Sequence, residues 1–160
     1  MADNLTIALN TEVLAPSQYM NYPFDAVTVF NGQVIAAGPG GIYQLDSGGT
    51  DDGEPIDSRI DCRNTDFGML NQKRFRKIHF GYESDGELLV KLKNDDGNER
   101  AYHVVPAFAG KAQNSGVVTI GRDGKGRYWQ VRIENVDGAD FSVDSIDAVV
   151  VVLHGKPSGS

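Results

Sequence analysis

The sequence predicts an all-β protein: an antiparallel, jelly-roll-like β-sandwich preceded by an N-terminal extension with β-hairpins. Apolar and polar residues alternate in many short runs, which is the pattern of strands with one buried face. Asn-Gly and Asp-Gly pairs separate several of these runs and favour tight hairpin turns, because glycine takes positive φ without steric cost. Nineteen glycines among 160 residues also favour a sandwich or barrel over a parallel sheet with helical crossovers.

The alternating runs define the domain organisation. Residues 1–55 are expected to form an aromatic and glycine-rich arm with β-hairpins, which ends in the loop-like stretch SGGTDDGEP. Residues 56–154 are predicted to fold as the β-sandwich, and residues 155–160 as a disordered tail. The predicted strands are residues 5–9, 26–30, 33–38, 41–45, 87–93, 100–105, 116–121, 127–133 and 140–144.

The run RYWQVRI sets the inside and outside of the predicted sandwich. Trp129, Val131 and Ile133 share one face of this strand because successive side chains point to opposite faces. That face is apolar, so the pattern favours core packing of Trp129 over a role as a ligand-stacking platform. Trp129, Val131 and Ile133 are therefore the candidate core residues.

The final run, IDAVVVVLH at residues 146–154, is continuously apolar near its end. Such a run is typical of a strand covered on both faces. We expect this strand either to be central in its sheet or to close an oligomer. A buried helix is less favoured, because β-branched side chains fit strands better.

Charge and composition argue against several partners. The chain carries 15 Lys and Arg residues against 22 Asp and Glu residues, a formal charge of −7, so we expect no nucleic-acid or membrane-surface partner. No apolar run approaches the roughly 20 residues of a membrane span. The start MADNLTIALNTEV lacks the pattern of a signal peptide, which predicts synthesis in a cytosol without signal-dependent export.

Few residues suggest catalysis or metal binding. The single cysteine, Cys62, can form neither an intramolecular disulfide nor a thiolate metal cluster. The acidic loop at residues 51–57 offers carboxylates, but their spacing is not that of an EF-hand, so a solvated loop is favoured over a calcium site. GRDGKGR at residues 121–127 is interpreted as a hairpin turn rather than an anion-binding loop, because no helix follows it. We predict no enzyme activity, no cofactor and no metal.

The histidines and the available rings leave two further options. His79, His103 and His154 stand in no nucleophile motif, and we expect surface or edge positions for them. A glycan-binding sandwich could present aromatic rings from Tyr82, Tyr102, Tyr128 and Trp129. Fold analogy alone is a weak basis for that function.

Two sets of residues are candidate interfaces. The basic cluster KRFRK places Arg74 and Arg76 on one strand face and Lys73, Phe75 and Lys77 on the other. In an acidic protein this cluster could dock on an acidic neighbour. A solvated edge strand kept from aggregation by its charges is an equal alternative. The aromatic residues Tyr19, Tyr22 and Phe24 suit intersubunit packing, unless the arm folds over its own sandwich.

Several segments, in order, resemble a family of virion structural proteins of tailed bacteriophages. They are AAGPGGIYQLDS, DDGEPI, TDFGMLNQKRFRKIHFGYESDGELLVKL and GRYWQVRIENVDGADFSVDSI, within a match of about residues 19–153. The residues that carry the resemblance are Asp66, Phe67, Gly68, Arg127, Tyr128, Trp129, Asp137, Gly138 and Phe141.

The resemblance implies a role in particle assembly and brings no active site with it. The expected function is a non-enzymatic tail or baseplate subunit that binds copies of itself and other virion structural proteins. Its expected location is the virion, after synthesis in the host cytoplasm. The alternatives are a module that binds host-surface glycan, a capsid decoration or head-fibre protein, and a glycan or cell-wall hydrolase, which would need paired carboxylates in a cleft.

Overall fold

The computed structural model describes residues 5–12, 14–20, 22–45, 48–51, 53–108, 110, 112–122 and 124–153. The chain divides into two compact units, Met1–Gly48 and Gly49–Ser160. The division lies a few residues before the predicted boundary at residue 55, because the hairpin at residues 50–55 belongs to the second unit. The predicted disordered tail, residues 155–160, lies outside the described residues.

The first unit consists of two small antiparallel sheets. Strands β1 (Leu5–Asn10) and β2 (Ala15–Met20) form one hairpin. Strands β3 (Ala26–Phe30), β4 (Gln33–Gly38) and β5 (Gly41–Gln44) form a three-stranded meander. The turn between β3 and β4 has positive φ at both Asn31 and Gly32, as the Asn-Gly hairpin signal requires. Strand β2, which contains a proline and few alternating apolar residues, was missed in the sequence.

The second unit contains two larger antiparallel sheets. Its strands are β6 (Thr50–Asp51), β7 (Glu54–Pro55), β8 (Arg59–Asp61), β9 (Lys73–Ser84), β10 (Leu88–Asn94), β11 (Glu99–Val104), β12 (Gln113–Thr119), β13 (Lys125–Gly126), β14 (Trp129–Asn135) and β15 (Phe141–Val152). One sheet, the β10 sheet, has the order β11-β10-β14-β8. In the other, the β9 sheet, β9 pairs with β12 and β13 and also with β15.

The all-β prediction is confirmed. The described residues form strands that all pair antiparallel, and no helix occurs among them. Consistently, the described part of the chain contains no helix with the length and hydrophobicity needed to cross a bilayer. The finer jelly-roll description stays a prediction.

One hydrophobic cluster joins the two larger sheets. The β9 sheet contributes Phe75, Ile78, Phe80, Tyr82 and Val118, and the β10 sheet contributes Leu88, Val90, Leu92, Trp129, Val131 and Ile133. Phe75 and Trp129 meet across the cluster with ring centroids 5.0 Å apart. Inward residues of both sheets thus build a sandwich core, and the candidate core residues Trp129, Val131 and Ile133 lie in it.

Two Asp-Gly turns join strands of different sheets, contrary to the expectation that short turns make antiparallel neighbours. Asp85-Gly86 connects β9 to β10, and Asp137-Gly138 connects β14 to β15, yet each pair of strands belongs to different sheets. An Asp-Gly pair favours a tight turn but does not fix which sheet the next strand joins, because either placement turns the apolar face of that strand to the shared core.

A glycine makes room for a core ring. Gly116 on β12 is the register partner of Phe80 on β9. A Cβ atom built on Gly116 would lie 2.5 Å from Phe80 Cζ, so the ring occupies the space that a side chain at position 116 would need. The glycine in this strand therefore reflects a close approach.

The final apolar run is an edge strand rather than a central one, so of the two expectations only closure of an oligomer stays a prediction. The two predicted segments at residues 140–144 and 146–154 join in the single strand β15, which pairs only with β9 among the described strands. Along β15, half-buried and exposed residues alternate. The continuous run of valines misled the interpretation because β-branched residues also suit a strand that is covered on one face only.

Replacing Phe75 with alanine is expected to reduce the free energy of unfolding by about 3–5 kcal/mol, because it removes a fully buried ring and its contact with Trp129. Urea unfolding followed by Trp129 fluorescence measures the change. Phe108→Ala is the matched control: Phe108 is 63% exposed, and a surface change of this kind costs less than about 0.5 kcal/mol. Equal losses in the two variants would contradict the placement of the core.

Candidate assembly surfaces

The β1–β2 hairpin exposes an apolar face. Leu5, Ile7 and Leu9 alternate along β1 and so share one face, and Met20 is the register partner of Leu5. Their exposed fractions lie between 55% and 68%. An isolated two-stranded hairpin is marginally stable in water, and here the apolar face that could stabilise it is open.

The β3–β5 meander exposes apolar side chains on both of its faces, since Val29 and Phe30 are adjacent in one strand. Val27, Val29, Phe30 and Ile42 are all strongly exposed, whereas Ala36 is the buried hydrophobic residue among the described residues of the first unit. A single alanine supplies little hydrophobic stabilisation. We call the exposed apolar side chains of β1–β5 and of the β1–β2 connection the arm surface; its members are Leu5, Ile7, Leu9, Leu14, Tyr19, Met20, Val27, Val29, Phe30, Ile42 and Tyr43.

The candidate aromatic residues of the arm form a continuous series of ring contacts. Ring centroids are 5.5 Å apart for Tyr19 and Tyr22, 4.5 Å for Tyr22 and Phe24, and 5.3 Å for Phe24 and Tyr43. Tyr22 and Phe24 are half-buried, and Tyr19 and Tyr43 are exposed. The sequence identified the first three, but nothing in the run GIYQL indicated that Tyr43 would join them.

Lys73 is not a surface residue, so its place in the candidate basic interface was wrong. The side chain is fully buried, and its ammonium group donates hydrogen bonds to the carbonyl oxygens of Met69 (2.6 Å), Asn71 (3.0 Å) and Arg127 (3.0 Å). A buried cation needs such partners to offset its lost hydration. Lys73 therefore ties the segment before β9 to the turn before β14.

A β-bulge explains why Lys77 does not share the face of Lys73 and Phe75, although the alternation predicts that it does. Along β15, Val149 pairs with Lys77 and Val150 with Phe75, so Arg76 has no register partner there. The extra residue shifts the alternation of β9, as a bulge does. Lys73 and Phe75 consequently point inward, whereas Arg76 and Lys77 are both exposed.

The remaining basic residues lie at one end of the outer face of the β9 sheet. Lys125 is the register partner of Arg74, and Lys77 lies between Val149 and Thr119. The Nε atom of Arg74 has no hydrogen-bond partner among the described residues. This end of the sheet therefore concentrates positive charge in a chain that is acidic overall.

The opposite end of the same face is polar and acidic. The Asp144 carboxylate accepts hydrogen bonds from Gln113 Nε2 (2.9 Å) and Ser145 Oγ (3.0 Å), and it occupies the space above Gly81. Asp147 is exposed and is the register partner of His79. These groups border a shallow depression that is open to solvent; its shape allows surface contacts but does not enclose a ligand.

The acidic loop and His103 lie at the protein surface. Asp51 and Glu54 are exposed in the β6–β7 hairpin, and Asp52 lies outside the described residues. Among the described residues, no group of three or more His, Cys, Asp or Glu side chains could hold a metal ion. His103 Nδ1 lies 2.6 Å from Glu87 Oε1 on the surface, and His154 lies outside the described residues.

A network of charged side chains on the outer face of the β10 sheet was missed in the sequence. Arg132 bonds to Asp61 and also approaches Glu134, which forms an ion pair with Lys91 at 2.6 Å. The hydrogen bond to Asp61 raises the pKa of Arg132. The residues come from three strands, β8, β10 and β14, and the pairing of distant strands that brings them together is not visible in local sequence.

No protein-family model matches the chain, and no curated protein matches it. The resemblance to tailed-phage virion proteins therefore rests on the segments quoted above. The surfaces themselves can be interpreted only from their chemistry: an open apolar arm surface, and a sheet face with one basic and one acidic end.

Replacing Lys73 with methionine is expected to reduce the free energy of unfolding by about 2–4 kcal/mol, since three partly buried carbonyl groups lose their donor and a thioether cannot replace it. Lys77→Met is the matched control, and it should change the free energy by less than about 0.5 kcal/mol because Lys77 is exposed. Chemical denaturation of both variants gives the comparison. A neutral effect of Lys73→Met would show that these hydrogen bonds add no net stability.

Cys62 is expected to react slowly with alkylating reagents. Burial, and secondarily the negative charge of Asp61, raise the pKa of its thiol, so less thiolate is present in the folded protein at a given pH. At about pH 8, iodoacetamide should label the native chain more slowly than the urea-unfolded chain, as followed by mass spectrometry. Equal labelling rates for the native and unfolded chains, after correction for the effect of urea on the reagent, would contradict a raised pKa of the Cys62 thiol.

Proposed function

We propose that the chain is a non-enzymatic structural component of a tailed-phage virion, a tail or baseplate subunit that binds copies of itself and neighbouring virion proteins. The observation that carries the assembly role in this proposal is the arm surface. Eleven large hydrophobic residues of the first unit are exposed, whereas Ala36 is the buried one among its described residues.

Such a surface is typical of a protein that functions in contact with others. Large exposed apolar patches on soluble proteins mark interaction sites or aggregation hazards. Aromatic residues and methionine are enriched in the cores of interfaces, and the arm surface includes Tyr19, Met20 and Tyr43. Contact with a neighbouring subunit would supply the hydrophobic burial that the small sheets lack internally.

The ordered resemblance to tailed-phage virion proteins supports the same role. Its motifs occur in both units, including the basic segment at residues 73–77 and the RYWQ strand. Trp129, one of the residues that carry the resemblance, is a core residue here. A core residue in common with the tailed-phage virion proteins supports a common fold. The role in the tail depends on the resemblance itself.

The glycan-binding alternative is less well supported. Of the four rings suggested for stacking, Trp129 and Tyr82 are buried in the core, and burial also raises the pKa of Tyr82. Tyr102 and Tyr128 are only half-buried, but a stacking site needs rings that present an open face. Capsid decoration would use the same arm surface and is distinguished from a tail role only by location.

Location in the intact particle tests the proposal directly. Gold-labelled antibodies against the purified chain, viewed by electron microscopy, should mark the tail or its distal end. Labelling of the head would replace the tail role by capsid decoration. Absence of the chain from purified particles, measured by quantitative mass spectrometry, would overturn the virion role.

Replacing Leu9 with lysine is expected to reduce incorporation of the chain into particles by at least about tenfold, because a charge would be buried in the proposed contact. Leu70→Lys is the matched control: Leu70 is exposed to a similar or greater extent but belongs to the second unit. Both purified variants should unfold at the same denaturant concentration as the original chain. Equal incorporation of the two variants would exclude the β1–β2 face from assembly.

A further inference from the structure

We propose that β15 pairs edge to edge and antiparallel with β15 of a second copy of the chain, about a two-fold axis. This inference rests on the proposed function, of which self-association is a part, and it specifies the contacting strand and the partner.

The free edge of β15 is long and poorly protected. It spans 12 residues and pairs with β9 alone among the described strands. From Ser145 to Val152 it contains no proline, glycine, lysine or arginine, and its single charge is Asp147. Edge strands normally carry such residues because unpaired N–H and C=O groups recruit other strands.

The other edge strands of the two large sheets are better protected. Strand β11 carries Glu99, Arg100 and His103, β8 has only three residues, and β12 is shorter than β15, at seven residues, and contains Gly116. The contrast singles out β15 as the edge with the highest tendency to pair. Its valines also have high β-propensity.

Pairing would also cover apolar side chains on the outer face of the sheet. Val149 and Val151 are 45% and 44% exposed, whereas the alternate residues Ala148 and Val150 pack against the core. An added strand places neighbouring side chains about 5 Å away on the same face. The two valines would then be flanked by strands on both sides.

The charge distribution selects a second copy, in the antiparallel direction. The first half of β15 carries Asp144 and Asp147, whereas the second half lies beside Lys77 and Arg74 through the register pairs Val149–Lys77 and Val151–Arg74. Two-fold antiparallel pairing places the acidic half of each copy near the basic half of the other. Parallel pairing would place like charges together, which is unfavourable.

Val151→Glu tests this arrangement. Within its own chain the new carboxylate lies across from Arg74, a favourable cross-strand pair, so the fold should be retained. In the dimer it would face the acidic half of the partner strand. We expect the dissociation constant, measured by sedimentation equilibrium, to rise at least about tenfold.

The matched control is Val117→Glu. Val117 is also exposed on the outer face, but it lies on β12 at the opposite edge of the same sheet. This variant should associate as tightly as the original chain. Added salt should weaken association of the original chain, because the contact joins opposite charges.

Three results would overturn the inference: an original chain that stays monomeric up to about 100 μM, a Val151→Glu variant that associates as tightly as Val117→Glu, or association that salt does not weaken. If Val151→Glu does not fold, hydrogen exchange of the original chain decides. Amides of residues 145–152 should gain protection as the concentration rises, and those of residues 113–119 should not; equal behaviour would reject the pairing.

The two proposals fail separately. A purified chain that is monomeric removes β15 pairing but leaves its location in the particle unaffected. A chain that dimerises through β15 but is absent from particles removes the virion role and leaves the dimer standing.

Discussion

The second unit depends on the packing of β9 against the opposite sheet. This single strand pairs with β12, β13 and β15, and its inward side chains meet Trp129 and its neighbours on β14 in one cluster. Turn chemistry alone does not decide which sheet a strand joins, since two Asp-Gly turns lead to the opposite sheet. The bulge at Arg76 lets β9 keep its apolar residues inward along its full length.

Local alternation was enough to predict the strand class and the inward face of β14, because the period of two is a property of adjacent residues. It did not show that Lys73 is buried, and it left open whether β15 is central or closes an oligomer. The position of Lys73 depends on three carbonyl groups, one of them 54 residues away, and on a bulge that no local motif signals. The edge position of β15 depends on which distant strands pair, and a run of valines is compatible with either place.

The assembly surfaces were only partly predictable. Tyr19, Tyr22 and Phe24 were recognisable as an aromatic group, but their mutual contacts and the addition of Tyr43 arise from strand pairing in the first unit. The acidic and basic ends of the β9 sheet combine residues from three strands. A sequence shows which charged residues are present. Only the fold shows that the basic and acidic residues lie at opposite ends of one sheet face.

The Phe80 ring fills the space beside Gly116, so the side chains at these two positions share one limited volume. A larger residue at 116 becomes acceptable only when residue 80 becomes smaller, so substitutions at these sites are expected to change together in related sequences. Correlated substitutions at the two positions would therefore reveal this packing, whereas variation at either position alone would not.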